Sequence, residues 1–244
     1  MLELPSPDRR TDLNKYVEYD VPFFPNDSDR CVPVSVESAI AYFLSEAELK
    51  SEDIDNLCGY APGREAWKTQ SLLSLAALGF EIRRIEDDDL YGFASDPEAY
   101  MKMRFPDPAI YQDQMEHSDI PLEVRRVEAY LDQGLHFEER KGTQHDIQAL
   151  LDQGWLVQLF INGSKLFGKD TITPHVVLAV GYDTDVIIVH NADGLNGNIP
   201  SQKVAWKTFE EAWDSHPSAA KGLSALRWGA PKGPYTTSSQ VSGY

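Results

Sequence analysis

The sequence predicts an α+β fold in which helices occupy the first part of the chain and an antiparallel sheet the second. Apolar residues recur at close to helical spacing in several segments before residue 152. Two strongly β-prone runs, HVVLAVGY at 175–182 and VIIVHN at 186–191, flank Asp183-Thr184-Asp185, which is the pattern of a tight hairpin. Because strands and helices do not alternate along the chain, a parallel βαβ fold is not expected.

The composition is that of an ordinary globular domain. The chain has 244 residues, of which 42% are hydrophobic and 25% charged, enough to bury a sizeable core. Its formal net charge of −17 repels polyanions, so we expect no nucleic acid and no membrane among its partners. No apolar run approaches the roughly 20 residues that span a bilayer, and the start lacks the apolar stretch of a signal peptide. We therefore expect a cytoplasmic, reducing setting.

The first part of the chain predicts a polar leader followed by helices. Residues 1–18 are expected to be flexible, and the fold to begin at residue 19. Pro33 suits the first turn of a helix that begins at Cys31, Ser51 suits the N-cap of a second, and Gly79 ends a third. The predicted elements are a strand-like piece at 19–24, helices at 31–43, 52–57 and 65–78, and a strand at 80–85.

The second part predicts an insertion and then a sheet. Residues 87–120 mix aromatic and acidic side chains without a clean period, and we interpret them as an insertion or lid. The predicted elements beyond it are helices at 122–131, 144–151 and 207–213 and strands at 155–161, 175–182, 186–191 and 223–228. The tail 229–244 is rich in Gly, Pro, Ser and Thr and is expected to be disordered, which leaves a single domain over 19–228.

Cys31 is the first candidate for chemistry. It follows a polar loop and opens a predicted helix, where unpaired N–H groups and the helix dipole stabilise a thiolate and lower its pKa. The alternative is that Cys31 is a small buried hydrophobic residue, the commoner fate of a free cysteine. Cys58 fits that alternative better, because it ends a predicted helix just before Gly59, where the dipole disfavours a thiolate.

A nucleophilic thiol needs a base and a group that orients the base, and His175 and Asn191 can supply both. A hairpin turn at Asp183 and Thr184 would put His175 opposite Ala192 or Asn191, on one face of the sheet. Asp193 has the same strand parity as Asn191 and is the alternative orienting acid. Taken singly, His175 could also be a structural residue, and the asparagine could belong to a turn.

The order Cys31, His175, Asn191 matches a known spacing. The histidine lies 144 residues after the cysteine, within the about 130–150 residues expected of papain-type enzymes, and the amide follows 16 residues later. Here the chain resembles the papain-fold cysteine peptidases of the bacteriocin-processing (double-glycine leader) peptidase-like family. The matching pieces are VPFFPNDSDRCVPVSVESAIAYF at 21–43, GWLVQLFING at 154–163, HVVLAVGYDTDVIIVHNADG at 175–194 and VAWKTFEEAW at 204–213.

The resemblance implies a papain-like cysteine peptidase fold, whose N-terminal helical part carries the cysteine and whose C-terminal antiparallel sheet carries His and Asn. It implies a nucleophile at Cys31, a general base at His175, an orienting side chain at Asn191 and an oxyanion-hole amide at Asn26. The family usually has Gln where Asn26 stands, and Cys-Gly-Pro where this chain has Cys31-Val32-Pro33.

We therefore expect a thiol hydrolase that cleaves a peptide or isopeptide amide in a peptide or protein substrate. The alternatives are a catalytically silent papain fold that binds a peptide or protein, and a transglutaminase-like transfer of the acyl group to an amine. No cofactor and no metal are expected, since His190 and Asp193 would face away from each other on a strand. The acidic run at 86–89 is expected to be a solvated loop, and His117, His136, His145 and His216 to lie on the surface.

Overall fold

The computed structural model describes residues 16–27, 29–45, 49–64, 67–194 and 196–229. The predicted flexible leader up to residue 15, the first two residues of the helix predicted at 65–78 and the tail from residue 230 lie outside the described residues. Within the described ranges, no helix combines the length and the apolar character needed to cross a bilayer.

Helices and strands follow one another in an order that confirms an α+β fold. The helices are α1 (Cys31–Phe43), α2 (Ser51–Cys58), α3 (Lys68–Leu78), α4 (Leu90–Ser95), α5 (Pro97–Arg104), α6 (Pro108–His117), α7 (Ile120–Asp132), α8 (Gln144–Asp152) and α9 (Trp206–Asp214). The strands are β1 (Val17–Glu18), β2 (Phe80–Glu86), β3 (His136–Glu139), β4 (Leu156–Asn162), β5 (Pro174–Tyr182), β6 (Val186–Asp193), β7 (Gly197–Ala205) and β8 (Leu223–Trp228).

The strands form one mostly antiparallel sheet in the order β3-β2-β8-β4-β5-β6-β7. Strands β2 and β3 run parallel, whereas the other pairs are antiparallel. The short strand β1 pairs with the end of β5 that β4 does not reach, where Val17 lies opposite Tyr182.

Helices cover both faces of this sheet. On one face Val176, Leu178 and Val180 of β5 belong to the same core as α1, α2, α3 and α7. On the other face Val177 and Ala179 pack in the core that α8 and α9 complete. Strand β5 is therefore buried on both sides, which explains why its sequence is an almost unbroken apolar run.

The β5–β6 hairpin forms in a different register from the predicted one. The bend falls at Thr184 and Asp185, one residue later than expected, and Tyr182 pairs with Ile187. A bulge between Ala179 and Gly181 then shifts the pairing by one residue, so that Leu178 lies opposite His190. Continued to the start of β5, this register puts His175 opposite Asp193 and diagonal to Asn191, and not opposite Ala192 or Asn191.

The predicted strand-like piece at 19–24 is not a strand, and β1 begins two residues before the predicted boundary of the leader. The insertion at 87–120 contains α4, α5 and α6 instead of irregular chain. The aspartates at positions 89, 96 and 107 accept hydrogen bonds from the first-turn N–H groups of these helices, and proline opens α5 and α6. These capping residues indicate three helix starts in the sequence, although the segment has no clear apolar periodicity.

The acidic run at 86–89 is only in part the predicted solvated loop, since Asp87 and Asp89 alone are exposed. Glu86 and Asp88 are buried, and both accept hydrogen bonds from the buried guanidinium of Arg84. Lys68 at the start of α3 also pairs with Glu86, and Tyr100 donates to Asp88. The ammonium and the guanidinium lower the pKa of Glu86 to about 2 although burial opposes them.

Gly181 permits β1 to lie close against β5, and a side chain at this position should loosen the contact. A Cβ at position 181 would lie 2.3 Å from the carbonyl oxygen of Val17. We expect Gly181→Ala to lower the free energy of unfolding in urea by about 1–3 kcal/mol. It should also speed hydrogen exchange of the Tyr19 amide, which donates to Val180 at 2.9 Å.

Gly168→Ala is the control for this prediction, because Gly168 has a left-handed φ of +67° but open space around it. This variant should leave the exchange of the Tyr19 amide unchanged. Equal stability and equal Tyr19 protection in Gly181→Ala and the wild type would contradict the steric role of Gly181.

Candidate active site

Cys31 lies at the start of α1, above the first residues of β5. Helix α1 packs on β5 and β6, and Cys31 shares a small cavity with Val176 and Ala192. The residue is half-buried, and the N–H of Arg30 before it donates to Asn26 Oδ1 at 3.3 Å. Helix α1 therefore begins at Cys31, as predicted.

His175 and Asn191 meet as predicted, although the register differs. The distance between His175 Nε2 and Asn191 Oδ1 is 2.8 Å, and both side chains are buried. Asn191 Nδ2 donates to Gln202 Oε1 at 2.8 Å, which directs the amide oxygen at the ring. Nε2 therefore carries the imidazole proton, and Nδ1 is the basic nitrogen of the neutral ring.

Strand β7, which carries Gln202, was missed by the sequence analysis. The strand contains a bulge, because the pairing of β6 and β7 shifts by one residue between Val189 and Asn191, and Ser201 has a φ of +44°. The signal that could have found β7 is Asn196-Gly197, a dipeptide typical of hairpin turns, directly after a strand.

The start of β5, which carries His175, reaches Cys31 through its backbone. The backbone N–H of Val176, the residue after His175, acts on the Cys31 sulfur, and the charge of Asp193 acts on both Cys31 and His175. Among the described residues, no hydrogen bond joins the Cys31 sulfur to the ring, and His175 Nδ1 has no hydrogen-bond partner. The thiol and the ring thus share the field of Asp193 but are not hydrogen-bonded to each other in the free protein.

The pKa of Cys31 is raised, which contradicts the expectation from its position at a helix N-terminus. Burial is the largest cause, and it outweighs the backbone N–H groups of Val176, Val32 and Cys31, which lower the pKa. Burial likewise lowers the pKa of His175, against the opposing effects of Asp193 and Asn191. Burial thus favours the neutral thiol and the neutral imidazole over a thiolate–imidazolium pair.

Asp193, the alternative orienting acid, makes a different contact. Its carboxylate accepts from the backbone N–H of Asn196 at 3.1 Å and from Asn196 Nδ2 at 2.8 Å. A Cβ at Gly163 would lie 3.1 Å from His175 Cβ and 3.5 Å from Asp193 Oδ2, so this glycine lets the 3-10 turn that follows β4 approach both residues. Asp193 therefore acts on the ring through its charge, while Asn191 holds the ring nitrogen.

Asn26 is buried beside the end of β6. Its Nδ2 donates to the carbonyl of Ala192 at 3.2 Å, and its Oδ1 accepts from Arg30 N. Asn198 of β7 binds both the backbone N–H and the backbone carbonyl of Asn26, at 2.7 and 3.1 Å. These contacts fix the loop before Cys31 against the sheet, and Asn198 is a second residue of β7 that the sequence analysis missed.

Of the remaining histidines, His190 lines the small cavity that contains Cys31, and both of its ring nitrogens are engaged with the backbone. His190 faces the opposite side of the sheet from Asn191, with Nε2 on the Val21 carbonyl at 2.8 Å and Nδ1 accepting from Ser201 at 3.1 Å. Cys58 is buried, as predicted. Three histidines are exposed as expected, namely His117, His136 and His145, whereas His216 is half-buried. Across the described ranges, no three His, Cys, Asp or Glu side chains gather as metal ligands would.

Comparison with known proteins adds no relative. No protein-family model matches the chain, and no curated protein is significantly similar to it in sequence. The assignment of a function therefore depends on the geometry around Cys31 and His175.

The directions of the two pKa shifts predict how Cys31 reacts with iodoacetamide. Because its pKa is raised, the labelling rate should increase with a midpoint above the about 8.5 of an ordinary thiol. The charge of Asp193 raises the pKa of both Cys31 and His175. Asp193→Asn should therefore lower the pH midpoint of Cys31 labelling and the midpoint of the NMR titration of His175. Fast labelling of Cys31 that persists well below pH 7 would show instead that a thiolate–imidazolium pair exists in the free protein.

Proposed function

We propose that this protein is a thiol hydrolase that cleaves a peptide or isopeptide amide through an acyl-enzyme on Cys31. The observation that carries this proposal is the 2.8 Å hydrogen bond from His175 Nε2 to Asn191, made by the residue that precedes Val176, whose backbone N–H acts on the sulfur of Cys31. This contact gives the ring one protonated nitrogen that is held in place and one basic nitrogen, which is the arrangement a thiol nucleophile requires.

In the proposed first step, His175 Nδ1 accepts the thiol proton while the sulfur bonds to the substrate carbonyl carbon. The pair starts neutral, so His175 acts as a general base during the attack, since neither a raised thiol pKa nor a lowered imidazole pKa favours ionisation beforehand. The C–N bond then breaks, and the imidazolium gives its proton to the leaving amine. Water, deprotonated by the same ring, hydrolyses the thioester and restores the thiol.

The imidazolium that forms in this cycle has two supports. Asn191 Oδ1 keeps accepting from Nε2–H, and Gln202 holds the Asn191 amide in that orientation. The carboxylate of Asp193 favours the positive ring, as its effect on the pKa of His175 indicates. Asp193 would thus stabilise charge separation at the ring without touching the reacting atoms.

The proposed oxyanion donors are the backbone N–H of Cys31 and the Nδ2 of Asn26. The amide of Asn26 already donates to Ala192, and Asn198 clamps its backbone, so the group is positioned in advance. A donor of this kind contributes about 3–4 kcal/mol to stabilising a tetrahedral oxyanion. If water is replaced by an amine in the second half-reaction, the same site would carry out acyl transfer.

A second candidate function is a catalytically silent module that binds a peptide or protein. Two observations favour this second candidate. Burial raises the pKa of Cys31, which lowers the thiolate fraction, and the Asn26 amide is bound to Ala192 in place of a substrate. The module would bind a peptide or protein without the reaction.

The two candidates differ in product formation, which can be measured on a peptide mixture from a digested proteome. The wild type should yield new termini by mass spectrometry, Cys31→Ala should yield none, and Cys58→Ala should match the wild type because Cys58 lies outside the site. Added glycinamide would appear in the products if the reaction is acyl transfer. Peptides retained equally by the wild type and Cys31→Ala, without new termini, would instead establish the binding module.

The role of Asn26 can be tested with a peptide that this screen identifies. We expect Asn26→Ala to lower kcat by about 10²–10³-fold with little change in KM, because the donor acts in the transition state. Asn198→Ala leaves the amide in place but removes its clamp, so its loss should be smaller. A kcat unchanged in Asn26→Ala would show that the oxyanion is stabilised by other groups.

A further inference from the structure

A second imidazole lies within electrostatic range of His175. His216, in the loop between α9 and β8, is half-buried, and the charge of His175 acts on it together with those of Lys68 and Arg104. Its ring contacts Phe160 edge-on, with centroids 6.3 Å apart. Phe160 is paired in the sheet with Val176, whose N–H acts on the Cys31 sulfur. His216 therefore stands one strand away from the proposed reacting atoms.

The hydrogen bonds of His216 fix which nitrogen carries the proton. Nδ1 accepts from the backbone N–H groups of Ser218 at 3.2 Å and Ala219 at 2.9 Å, so Nε2 bears the hydrogen. Within the described part of the chain, this Nε2–H donates to no protein group, and it is not buried out of reach of solvent. Burial lowers the pKa of His216 to about 4, so the ring is a neutral donor at physiological pH.

Lys68 brings a second donor to the same ring, although its largely buried ammonium is also paired with Glu86. Its ammonium lies 4.0 Å from the centroid of the same Phe160 ring, on which it makes a cation–π contact. The loop that carries His216 is held in place by Arg104 of α5, which donates to the Ser218 carbonyl. Through this arginine the insertion at 87–120 supports the loop beside the site.

The charges around this surface are positive in balance, although the whole chain is acidic. The formal charges that act on His216 are those of Lys68 and Arg104 against the carboxylate of Glu86. Behind them Arg84 and Asp88 form a pair of opposite charges. In a chain of net charge −17, this is a local site for an anionic group, and its donors suit a carboxylate.

We propose that Lys68, Phe160 and His216 form a subsite that binds a carboxylate of the peptide substrate, a proposal that rests on the thiol hydrolase function above. His216 Nε2–H and the Lys68 ammonium donate to the carboxylate oxygens, and the Phe160 ring packs against the adjoining chain. The carboxylate comes either from the C-terminus of the substrate or from an acidic side chain, which the same donors would bind. His216 is thus a residue for substrate selection and positioning.

The proposal can be tested without turnover, by the labelling of Cys31 with matched reagents. Iodoacetylated diglycine is compared with its C-terminal amide, and iodoacetyl-glycyl-aspartate amide with iodoacetyl-glycyl-asparagine amide. The first pair reports a C-terminal carboxylate and the second a side-chain carboxylate. In each pair the ratio of rates cancels the thiolate fraction of Cys31, and N-acetylcysteine amide supplies the reference ratio.

We expect the acid to label wild-type Cys31 about tenfold faster than its amide in at least one pair, the gain of one charge-assisted hydrogen bond. His216→Asn should return the ratio to the reference, because asparagine keeps an acceptor for the Ser218 and Ala219 N–H groups but has no Nε2–H. Lys68→Gln should lower the ratio too. Lys102→Gln, the same charge change at an exposed lysine paired with Glu98, should leave the ratio unchanged.

A wild-type ratio equal to the reference in both pairs would overturn the subsite, whether or not peptides are hydrolysed. A raised ratio that depends on His216 would support the subsite even if the peptide screen gave no products, so the two proposals fail separately. Titration of His216 Nε2 by NMR with N-acetylaspartate amide and N-acetylasparagine amide gives the same decision without reaction at Cys31. A shift with the first compound alone supports the subsite, and no shift with either overturns it.

Discussion

The antiparallel pairing of β5 with β6 is the constraint on which the rest of this structure depends. The hairpin is buried on both faces, so its strands cannot slip without moving apolar side chains out of two cores. The same pairing brings His175 Nε2 within 2.8 Å of Asn191 Oδ1, and the face that carries Val176 and Leu178 is the one on which α1 places Cys31. Core packing and the proposed chemistry are therefore two consequences of one register.

Burial of the site shifts the pKa values of Cys31 and His175 in opposite directions. It disfavours the charged forms of both Cys31 and His175, which argues against a preformed ion pair. In the same surroundings, however, the hydrogen bond that the ring donates to Asn191 and the charge of Asp193 act on the ring with little screening by water. A neutral resting pair that separates charge during attack is consistent with these contacts, and it makes the protein's reactivity depend on substrate binding.

The region around the proposed site is held by polar contacts between elements that are distant in the sequence. Asn198 and Gln202 of β7 hold Asn26 and Asn191, and Arg104 of the insertion holds the loop of His216. The proposed active site combines the thiol with the carboxylate of Asp193, and the proposed subsite combines an ammonium with an imidazole donor. The two proposals together would give a bound peptide a direction.

Sequence patterns determined the class of fold, most of the elements and the residues Cys31, His175 and Asn191, because periodicity, caps and residue order are local properties. They could not determine the register of the hairpin, since the bulge between Ala179 and Gly181 shifts the pairing and no local pattern in the sequence marks it. The pKa of Cys31, and the burial of Glu86 and of His216, likewise depend on which elements cover them. Desolvation and cross-strand contacts are sums over the whole packed structure, so the tertiary structure alone decided them.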